Sequence, residues 1–552
     1  MATSVVSLLK NARITSRDAE EVRWRNEQEN RSAIHLVTAL TVVAFLIHGY
    51  HPFAEDGGLY LAGIKRVLEP GMYPLESGFV LGHLRFSIFA PVLALAVRIS
   101  GAKLETILLW LYLGTIWMTL WAGWLIAKRC FQGRRCVGAV ALLATWLTMP
   151  IAGTSLMLMD PYVTARSIST PCTMLALVYA FDFLTQWHRY GELDRGAMAK
   201  LGIALAIAAL MHPLMAAYGF GCVLALGVAV TRRRRTWLIG MAAICASAIA
   251  VALILRMVGQ PESESYRQVA MSRYYWFLEE WHWYEWIGLA GPLVILGYTA
   301  LGLQRKSKGP AQIALARMCI VAGTAAGLVA LIFARPDATN LLVARLQPLR
   351  VFQIIYIVMI LFVGAQLTTW LGDKKLLRTV TFTALAAIMF TAERETFPSS
   401  AHIELPIERQ NNEWVQAFEW IRSNTPRGAL FALDSDYITQ PGEDAQSFRA
   451  IAERSALPDY SKDGGEAAIT PSLADAWKAG QVRQSRLSER TDSDRIASLK
   501  PAGVSWIVLS RKAVTAFRCD YANAAVKVCR LPADDAGKTF ASTSSPLPPA
   551  KR

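Results

Sequence analysis

Apolar runs close to 20 residues long constrain the fold of this chain more than any other feature of its sequence. They recur between residues 32 and 393 with short polar breaks, and they stop before a C-terminal stretch of ordinary soluble composition. Charged residues make up only 18% of the chain, against about 25% in soluble domains. An α-helix needs about 20 apolar residues to cross the hydrocarbon core of a bilayer. The sequence therefore predicts an α-helical polytopic membrane protein with a C-terminal soluble domain.

Length and hydropathy predict about eleven transmembrane helices within residues 33–395. Their approximate bounds are residues 33–50, 104–127, 136–153, 165–185, 200–213, 214–231, 236–257, 286–304, 311–333, 348–371 and 378–393. Residues 86–99 are also apolar, but this segment is short and contains Pro91 and Arg98. We expect it to lie on the outer membrane surface, because a crossing here would place the next basic loop outside.

Basic residues concentrate at the ends of the apolar runs, in a chain whose net charge is +15. The clusters are Lys128, Arg129, Arg134 and Arg135, then Arg232, Arg233, Arg234 and Arg235, then Arg305, Lys306 and Lys308, and then Lys374, Lys375 and Arg378. Short loops rich in Lys and Arg remain in the cytoplasm. We therefore expect the N-terminal segment 1–32 to be cytoplasmic, and loop 51–103 and the C-terminal domain to be periplasmic, in a bacterial inner membrane.

The same placement of charge bears on the partners of the chain. No nucleic-acid recognition motif accompanies the basic residues. Basic loops beside apolar runs instead favour anionic lipid head groups. We expect the lipid bilayer, and not nucleic acid, as the partner of these residues.

The C-terminal region, residues 396–534, is predicted to be an α/β domain. A helical pattern follows residue 412, and the runs ALFALD, VSWIVLS and AVKVCRL have the composition of strands. Cys519 and Cys529 are the only cysteines in this region, and they can pair if the domain faces an oxidising compartment. Residues 535–552, rich in Ser, Pro and Ala, are predicted to be disordered.

The first outer loop begins with polar residues suited to catalysis. His51, Glu55 and Asp56 lie within a few residues of the membrane edge, and Gly57 and Gly58 are expected to turn the chain tightly into a helix. Adjacent carboxylates can bind a divalent cation or act as a general base. They can equally be acidic residues stabilised by the dipole of a helix N-terminus. Both interpretations stay open at this point.

Two further outer positions carry ionisable residues. Asp160 precedes a predicted span, and Arg166 lies a turn or two after Asp160. Asp160 is therefore either a helix cap or a site residue. His212 stands before Pro213 in an apolar stretch. A helix broken in this way either lines a cavity or forms a simple hairpin.

The segment ARLQPLRVF places Arg345, Gln347 and Arg350 at the outer end of a predicted helix. Arginine is suited to bidentate binding of phosphate, although it also reaches from helix ends toward lipid head groups. The neighbouring segment MSRYYWFLEEWHWYEW is dense in aromatic residues. It is typical of an interfacial aromatic belt, with a groove for a sugar or a lipid tail as the alternative.

The order of these elements resembles the GT-C superfamily of polytopic membrane glycosyltransferases. The first span is followed by a long outer loop with acidic residues near its start, and a second surface helix, RFSIFAPVLALAVRISG, precedes a span that ends in a basic loop. A second outer loop then carries Asp160. The soluble part, with WIRSNTP, SFRAIAERSALPDYSKDGG and GVSWIVLS, looks like outer domains of bacterial members of this group.

The resemblance implies a transferase that moves a sugar from a polyprenyl-phosphate donor to an envelope glycan, lipid or protein. It gives the catalytic role to Asp56, with Glu55 beside it, and to Asp160. These carboxylates would act as bases or as ligands of a divalent cation, Mg²⁺ or Mn²⁺. The alternative is a non-catalytic or transport protein with a partner-binding periplasmic domain, although the two-fold repeats typical of transporters are not evident in the sequence.

The same resemblance suggests how the donor phosphate is held. It gives this role to the basic residues of the later outer loops, Arg345 and Arg350, and we add Arg166 as a third candidate. His51, His212 and Gln347 are further candidates for the wall of a shared cavity. The prediction requires that these residues, which are far apart in sequence, meet in one place.

Overall fold

A computed structural model describes residues 16–231, 233–305, 309–406 and 411–532 of the chain. A bundle of long helices is followed by a domain that contains a β-sheet. Some predicted features lie outside the described residues, namely residues 1–15 of the N-terminal segment, Arg232, Lys306, Lys308 and the tail 535–552.

The first sixteen described helices form the bundle and its connections. They are α1 (Ser16–His48), α2 (Glu55–Leu68), α3 (Gly78–Leu81), α4 (Phe89–Ser100), α5 (Leu104–Cys130), α6 (Arg134–Thr145), α7 (Ala165–Tyr190), α8 (Arg195–Met211), α9 (Pro213–Ala229), α10 (Arg234–Val258), α11 (Glu264–Met271), α12 (Trp283–Arg305), α13 (Pro310–Phe333), α14 (Leu342–Leu346), α15 (Phe352–Leu371) and α16 (Lys375–Thr396). Short 3₁₀ turns cover His83–Phe86, Tyr274–Trp276, Leu278–Glu280 and Pro348–Val351.

Eight helices among the described residues are long and apolar enough to cross a membrane. They are α1, α5, α7, α10, α12, α13, α15 with the short α14 before it, and α16. The protein is therefore a multi-pass membrane protein by helix length and composition. The predicted fold class, a helical membrane protein with a C-terminal α/β domain, is confirmed.

Three of the eleven predicted spans correspond to shorter helices. The predicted span 136–153 overlaps α6, which has 12 residues, and the spans 200–213 and 214–231 overlap α8 and α9, which have 17 residues each. At 1.5 Å per residue a 12-residue helix reaches only about 18 Å, against about 30 Å of hydrocarbon. The count of eleven spans stays a prediction.

The apolar segment at residues 86–99 forms α4, which has 12 residues and ends at Gly101 in a left-handed conformation. The helical segment before it, Gly78–Phe86, meets α4 at an angle of 97°. Neither piece is long enough to cross the hydrocarbon alone. The amide of Ile88 donates to the carbonyl of Leu210 at 3.1 Å, so the bend packs against the end of α8.

Two ion pairs join helix ends that carry basic residues at one end of the bundle. Arg129, at the end of α5, pairs with Asp182 near the end of α7, with 2.7 Å between Nε and Oδ1. Arg134, at the start of α6, pairs with Asp373 after α15. The loops that carry Asp56, Asp160, His212 and Arg350 are at the other ends of the helices, where the soluble domain is docked. Opposite ends of one bundle therefore carry the basic clusters and the candidate site.

The soluble domain is built on a five-stranded sheet with the order β4-β3-β5-β7-β6. The strands are β3 (Leu430–Ala432), β4 (Ser455–Ala456), β5 (Trp506–Ser510), β6 (Cys519–Ala522) and β7 (Val526–Arg530), after a small hairpin of β1 (Pro150–Ile151) and β2 (Leu156–Met157) in the bundle. β3 pairs in parallel with β4 and β5, whereas β7 is antiparallel to β5 and β6. The three predicted strand runs form β3, β5 and β7. Cys519 and Cys529 are joined by a disulfide across β6 and β7.

Five helices belong to this domain, and the second, third and fourth of them pack against helices of the bundle. They are α17 (Glu413–Asn424), α18 (Phe448–Ala452), α19 (Lys462–Ile469), α20 (Ala474–Gln484) and α21 (Asp492–Leu499). Four 3₁₀ turns cover Tyr437–Thr439, Pro471–Leu473, Leu487–Glu489 and Lys500–Ala502. Helix α17 begins at Asn412, whose side chain accepts hydrogen bonds from the amides of Trp414 and Val415. Its apolar face, which includes Phe418 and Ile421, is buried against the sheet, as the helical spacing predicted.

The first outer loop and the soluble domain are joined through backbone contacts. The amide of Glu55 donates to the carbonyl of Ala445 at 2.8 Å, and the amide of Ser447 donates to the carbonyl of Phe53 at 2.9 Å. A Cβ on Gly58 would lie 2.1 Å from Cβ of Ser447. Only glycine therefore allows α2 to approach the soluble domain this closely.

The glycine pair does not make the predicted tight turn. Gly57 and Gly58 lie inside the first turns of α2, which begins at Glu55. A Cβ on Gly57 would lie 2.8 Å from Cβ of Tyr162 in the second outer loop. The pair lets α2 pack closely against both the second loop and the soluble domain, and this packing brings the candidate residues together.

Candidate active site

A cavity of about 630 Å³ lies between the ends of the bundle helices and the soluble domain. Its wall combines apolar and aromatic side chains with a few charged groups, as in sites that bind small molecules. The aromatic residues are Tyr60, Tyr162, Tyr274, Tyr275, Trp276, Tyr284 and Phe397. The charged residues are Glu55, Asp56, Asp160, Arg166, Arg273, Glu285, Arg350, Lys462 and Glu466.

Asp56 lies at the centre of the charged groups. Its Oδ2 accepts a hydrogen bond from Nη2 of Arg166 at 3.2 Å, and its Oδ1 lies 3.4 Å from Nζ of Lys462. Lys462 also pairs with the carboxylate of Glu55. The two adjacent acidic residues of the first loop are thus held by one cation from the bundle and one from the soluble domain.

Asp160 is paired with the same arginine. Nη2 of Arg166 lies 2.9 Å from Oδ2 of Asp160, and both side chains are more than 90% buried. Asp160 does not cap α7, because Thr164 forms the capping box of that helix with Ser167. Arg166 therefore bridges the carboxylates of the two outer loops. This contact gives a structural reason for the spacing of Asp160 and Arg166, six positions apart in the sequence.

The two aspartates differ in their protonation equilibria. Burial raises the pKa of Asp56, but the charges of Lys462, Arg166 and Arg350 outweigh it and hold the pKa well below its usual range. Burial also raises the pKa of Asp160, and Arg166 only partly opposes this effect. Asp56 thus remains a carboxylate throughout the physiological pH range, whereas Asp160 binds a proton more readily than a free aspartate does.

Arg350 lines the cavity without a carboxylate partner among the described residues. Its Nε donates to Oε1 of Gln347 at 2.7 Å, which orients the guanidinium. Gln347 lies in a left-handed conformation with φ of 50°, between α14 and the 3₁₀ turn Pro348–Val351. An arginine that is oriented by a neutral group keeps its charge available for an anion.

Of the remaining predicted residues, His212 lines the cavity and two others do not. His212 caps α9 by accepting from the amide of Met215 at 3.4 Å. Arg345 instead pairs with Glu262 at 2.8 Å and lies over the ring of Tyr266. His51 is fully buried and bonded to Glu404 at 2.8 Å. We leave Arg345 and His51 out of the proposed site, because neither side chain lines the cavity.

Sequence reasoning missed the part of the site that comes from the soluble domain. Lys462 and Glu466 lie on α19, and Glu466 is 3.3 Å from His83 of the first outer loop. Arg273 donates to the carbonyls of Tyr460 and Ser461 at 2.7 and 2.8 Å, which fixes the start of α19 against the bundle. The segment SKDGG was noted only as part of a resemblance, and nothing in it marks a lysine as a site residue.

The carboxylates of the cavity do not fit a divalent cation held by the protein. Such an ion requires several oxygen ligands that are free to coordinate it. Asp56 and Asp160 instead share the guanidinium of Arg166, and Lys462 faces the other oxygen of Asp56. Among the described residues, no group of three or more His, Cys, Asp or Glu side chains is arranged to hold a metal. We therefore derive no step through a metal ion.

Comparisons with known proteins give distant structural similarities. No family model matches the chain, and no curated protein matches it. An oligosaccharyltransferase, AglB of Archaeoglobus fulgidus, was solved with an inhibitory peptide and a dolichol-phosphate; it is 11% identical over 87% of this chain and 70% of its own, with a TM-score of 0.45. The A. fulgidus enzyme with Zn and sulfate is also 11% identical, over 86% of this chain and 68% of its own, with a TM-score of 0.44.

A second similarity is to the mycobacterial arabinofuranosyltransferase AftD. It is 12% identical over 92% of this chain and 40% of its own, with a TM-score of 0.42. This chain thus spans less than half the length of AftD. Both similarities are too distant to assign an activity to this chain, so a function has to be argued from the residues of the cavity.

Proposed function

We propose that this protein is a membrane glycosyltransferase that moves a sugar from a polyprenyl-phosphate donor to an envelope acceptor. The observation that carries the proposal is the convergence of Asp56, Asp160, Arg166 and Arg350 on one cavity at the edge of the helix bundle. These residues come from three separate loops of the bundle. They provide a carboxylate, a bridging cation and a cation available for an anion, which are the groups that such a transfer requires.

The position of the cavity favours a lipid-linked donor. It lies where apolar helices end, so an isoprenoid chain can remain in the bilayer while its phosphate enters the polar space. The aromatic residues of its wall offer apolar faces beside the charged groups. The basic loops at the opposite end of the bundle favour an orientation in which the cavity faces the periplasm.

In the proposed reaction, Arg350 binds the phosphate of the donor and Asp56 accepts a hydrogen bond from the acceptor hydroxyl. The bond between the anomeric carbon and the phosphate oxygen breaks, and its electron pair goes to that oxygen. The acceptor oxygen bonds to the carbon, and its proton passes to Asp56. Arg166 keeps Asp56 and Asp160 in place throughout, because it contacts both.

The test replaces the chromosomal gene of the source organism with an Asp56→Asn variant, and it compares lipid extracts and envelope glycans with those of wild-type cells. We expect one polyprenyl-phosphate sugar to accumulate and one sugar to disappear from the envelope, with normal amounts of the variant in membranes. Unchanged lipids and glycans would contradict the proposal. They would favour a protein whose soluble domain only binds a partner.

A further inference from the structure

We propose that Lys462, carried by the soluble domain, is a catalytic cation of this transferase. Its ammonium moves from Asp56 to the phosphate of the donor, and Asp56 is then free to act as the base. This inference rests on the proposed function. It makes the soluble domain part of the catalytic centre, and it goes beyond the sites that the loops of the bundle provide.

The position of Lys462 is the first observation. Its Nζ faces both acidic residues of the first loop, Glu55 and Asp56, although 406 positions separate it from Asp56. The side chain lines the same cavity as Arg350 and is 20% exposed to it. Lysine carries its charge on a flexible four-carbon stem, so the ammonium can move by a few ångströms while the backbone stays fixed.

The backbone of Lys462 is held firmly, which is the second observation. Its amide donates to Oδ1 of Asp459 at 2.6 Å. The next residue, Asp463, forms a buried ion pair with Arg449 at 2.6 Å. The carbonyl of Arg449 in turn accepts from the hydroxyl of Tyr73 in the first outer loop at 2.9 Å. The start of α19 is thus anchored to the soluble domain and to the bundle at once.

Two glycines follow Asp463, and the space around them bears on the catalytic role of Lys462. A Cβ on Gly464 would lie 2.6 Å from Nη2 of Arg273, so a side chain there would displace the guanidinium that holds the start of α19. Gly465 lines the cavity, and a Cβ there would meet no atom within 4 Å. The helix that carries Lys462 therefore leaves open space in the cavity at Gly465.

The charges around Lys462 explain why its ammonium has to move before Asp56 can act as a base. Burial lowers the pKa of Lys462, but Glu55 and Asp56 raise it above its usual range, so the side chain stays charged. While its charge faces Asp56, that carboxylate is a weak base. When a donor phosphate attracts the ammonium, Asp56 regains its basicity. The ammonium then neutralises the phosphate oxygen that leaves with the electron pair. Donor binding and activation of the base are thereby coupled.

The experiment measures transfer in membranes that contain the full-length protein. The donor is the radiolabelled polyprenyl-phosphate sugar that accumulates in Asp56→Asn cells. Lys462→Met is expected to lower kcat by about 100-fold or more, as for loss of one group that stabilises developing charge. Lys462→Arg should retain activity within about 10-fold, because it keeps the charge. Lys512→Met, a change on an exposed turn of the same domain, serves as the matched control and should equal wild type.

A double variant separates catalysis from simple charge balance. If Lys462 only neutralises Glu55, adding Glu55→Gln to Lys462→Met will restore the wild-type rate, and that result would overturn the inference. The inference also predicts a change in pH profile, because removing a cation raises the pKa of Asp56. The loss of kcat/KM on acidification should therefore begin at a higher pH in Lys462→Met than in wild type.

The outcomes distinguish this inference from the proposed function. Near-normal transfer by Lys462→Met, together with inactive Asp56→Asn, would overturn only the role of Lys462. Normal transfer by both variants would overturn the proposed site itself. The amount of each variant in membranes and its thermal unfolding in detergent show whether a loss of rate reflects a loss of folded protein.

Discussion

An ion pair at one end of the helix bundle is exposed to water, whereas an ion pair at the other end is buried. At the end with the basic loops, Arg134 pairs with Asp373, and their side chains are 66% and 93% exposed. At the end with the cavity, Arg166 pairs with Asp160, and these side chains are only 9% and 8% exposed. The same two residue types form both pairs. Their surroundings differ, because water screens the first pair whereas the protein encloses the second.

The difference has an energetic basis. An exposed pair gains about 0–1 kcal/mol, because water screens it and holding two long side chains costs entropy. Loss of one partner from a buried pair costs about 3–5 kcal/mol, because the other charge is left without compensation. A charge of the exposed pair at the basic end can therefore be removed with little loss of stability. Charges in the cavity are fixed as a set, since each depends on its neighbours.

The largest effect is expected from Arg166→Met, which removes the cation shared by Asp56 and Asp160. The free energy of unfolding should fall by about 3–5 kcal/mol, and transfer should fall by about 10²- to 10³-fold. Thermal unfolding in detergent and transfer assays in membranes measure the two effects. The double variant Arg166→Met/Asp160→Asn removes the buried charge and should regain stability without regaining activity. Recovery of activity in the double variant would show that Arg166 has only a structural role.

The two ends also differ in how far the sequence predicts them. Basic clusters follow from local composition, because residues such as Arg134 lie directly beside an apolar run. Pairing in the cavity depends on contacts between distant segments, and Lys462 is 406 positions from Asp56. The acidic residues Asp56 and Asp160 could be selected from their place at the ends of spans. Their partners could not be deduced, because local spacing carries no information about which loops meet.

The pair Arg345 and Arg350 shows the same limit within one segment. The sequence makes both of them candidates for binding phosphate, and they lie five positions apart in front of α15. The structure turns them to different surroundings, because Gln347 adopts a left-handed conformation between them. Arg345 then faces Glu262 and Tyr266, whereas Arg350 faces the cavity. The left-handed conformation of Gln347 thus lies between an arginine that is paired with a carboxylate and one that faces the cavity.

An intermediate effect is therefore expected from Arg350→Met, with Arg345→Met as its matched control. Arg350→Met should weaken binding of polyprenyl phosphate about 10-fold or more, because it removes a charge-assisted contact worth about 1.5–3 kcal/mol. Arg345→Met should leave this affinity unchanged while lowering thermal stability, because it leaves Glu262 unpaired. Displacement of radiolabelled polyprenyl phosphate from the protein in nanodiscs measures both affinities. An equal loss in the two variants would contradict the division of roles between them.

The smallest effect is expected at the basic end, where Arg134→Gln removes one partner of the exposed pair. The free energy of unfolding should change by less than about 1 kcal/mol and transfer should be unaffected, because Asp373 stays fully hydrated. Asp373→Asn should give the same result, and the double variant should show no coupling beyond about 0.5 kcal/mol. Thermal unfolding of the four proteins at low and high salt measures the coupling. A coupling as large as that between Arg166 and Asp160 would mean that helix packing at the basic end excludes water. Burial would then no longer distinguish the ion pairs at the two ends of the bundle.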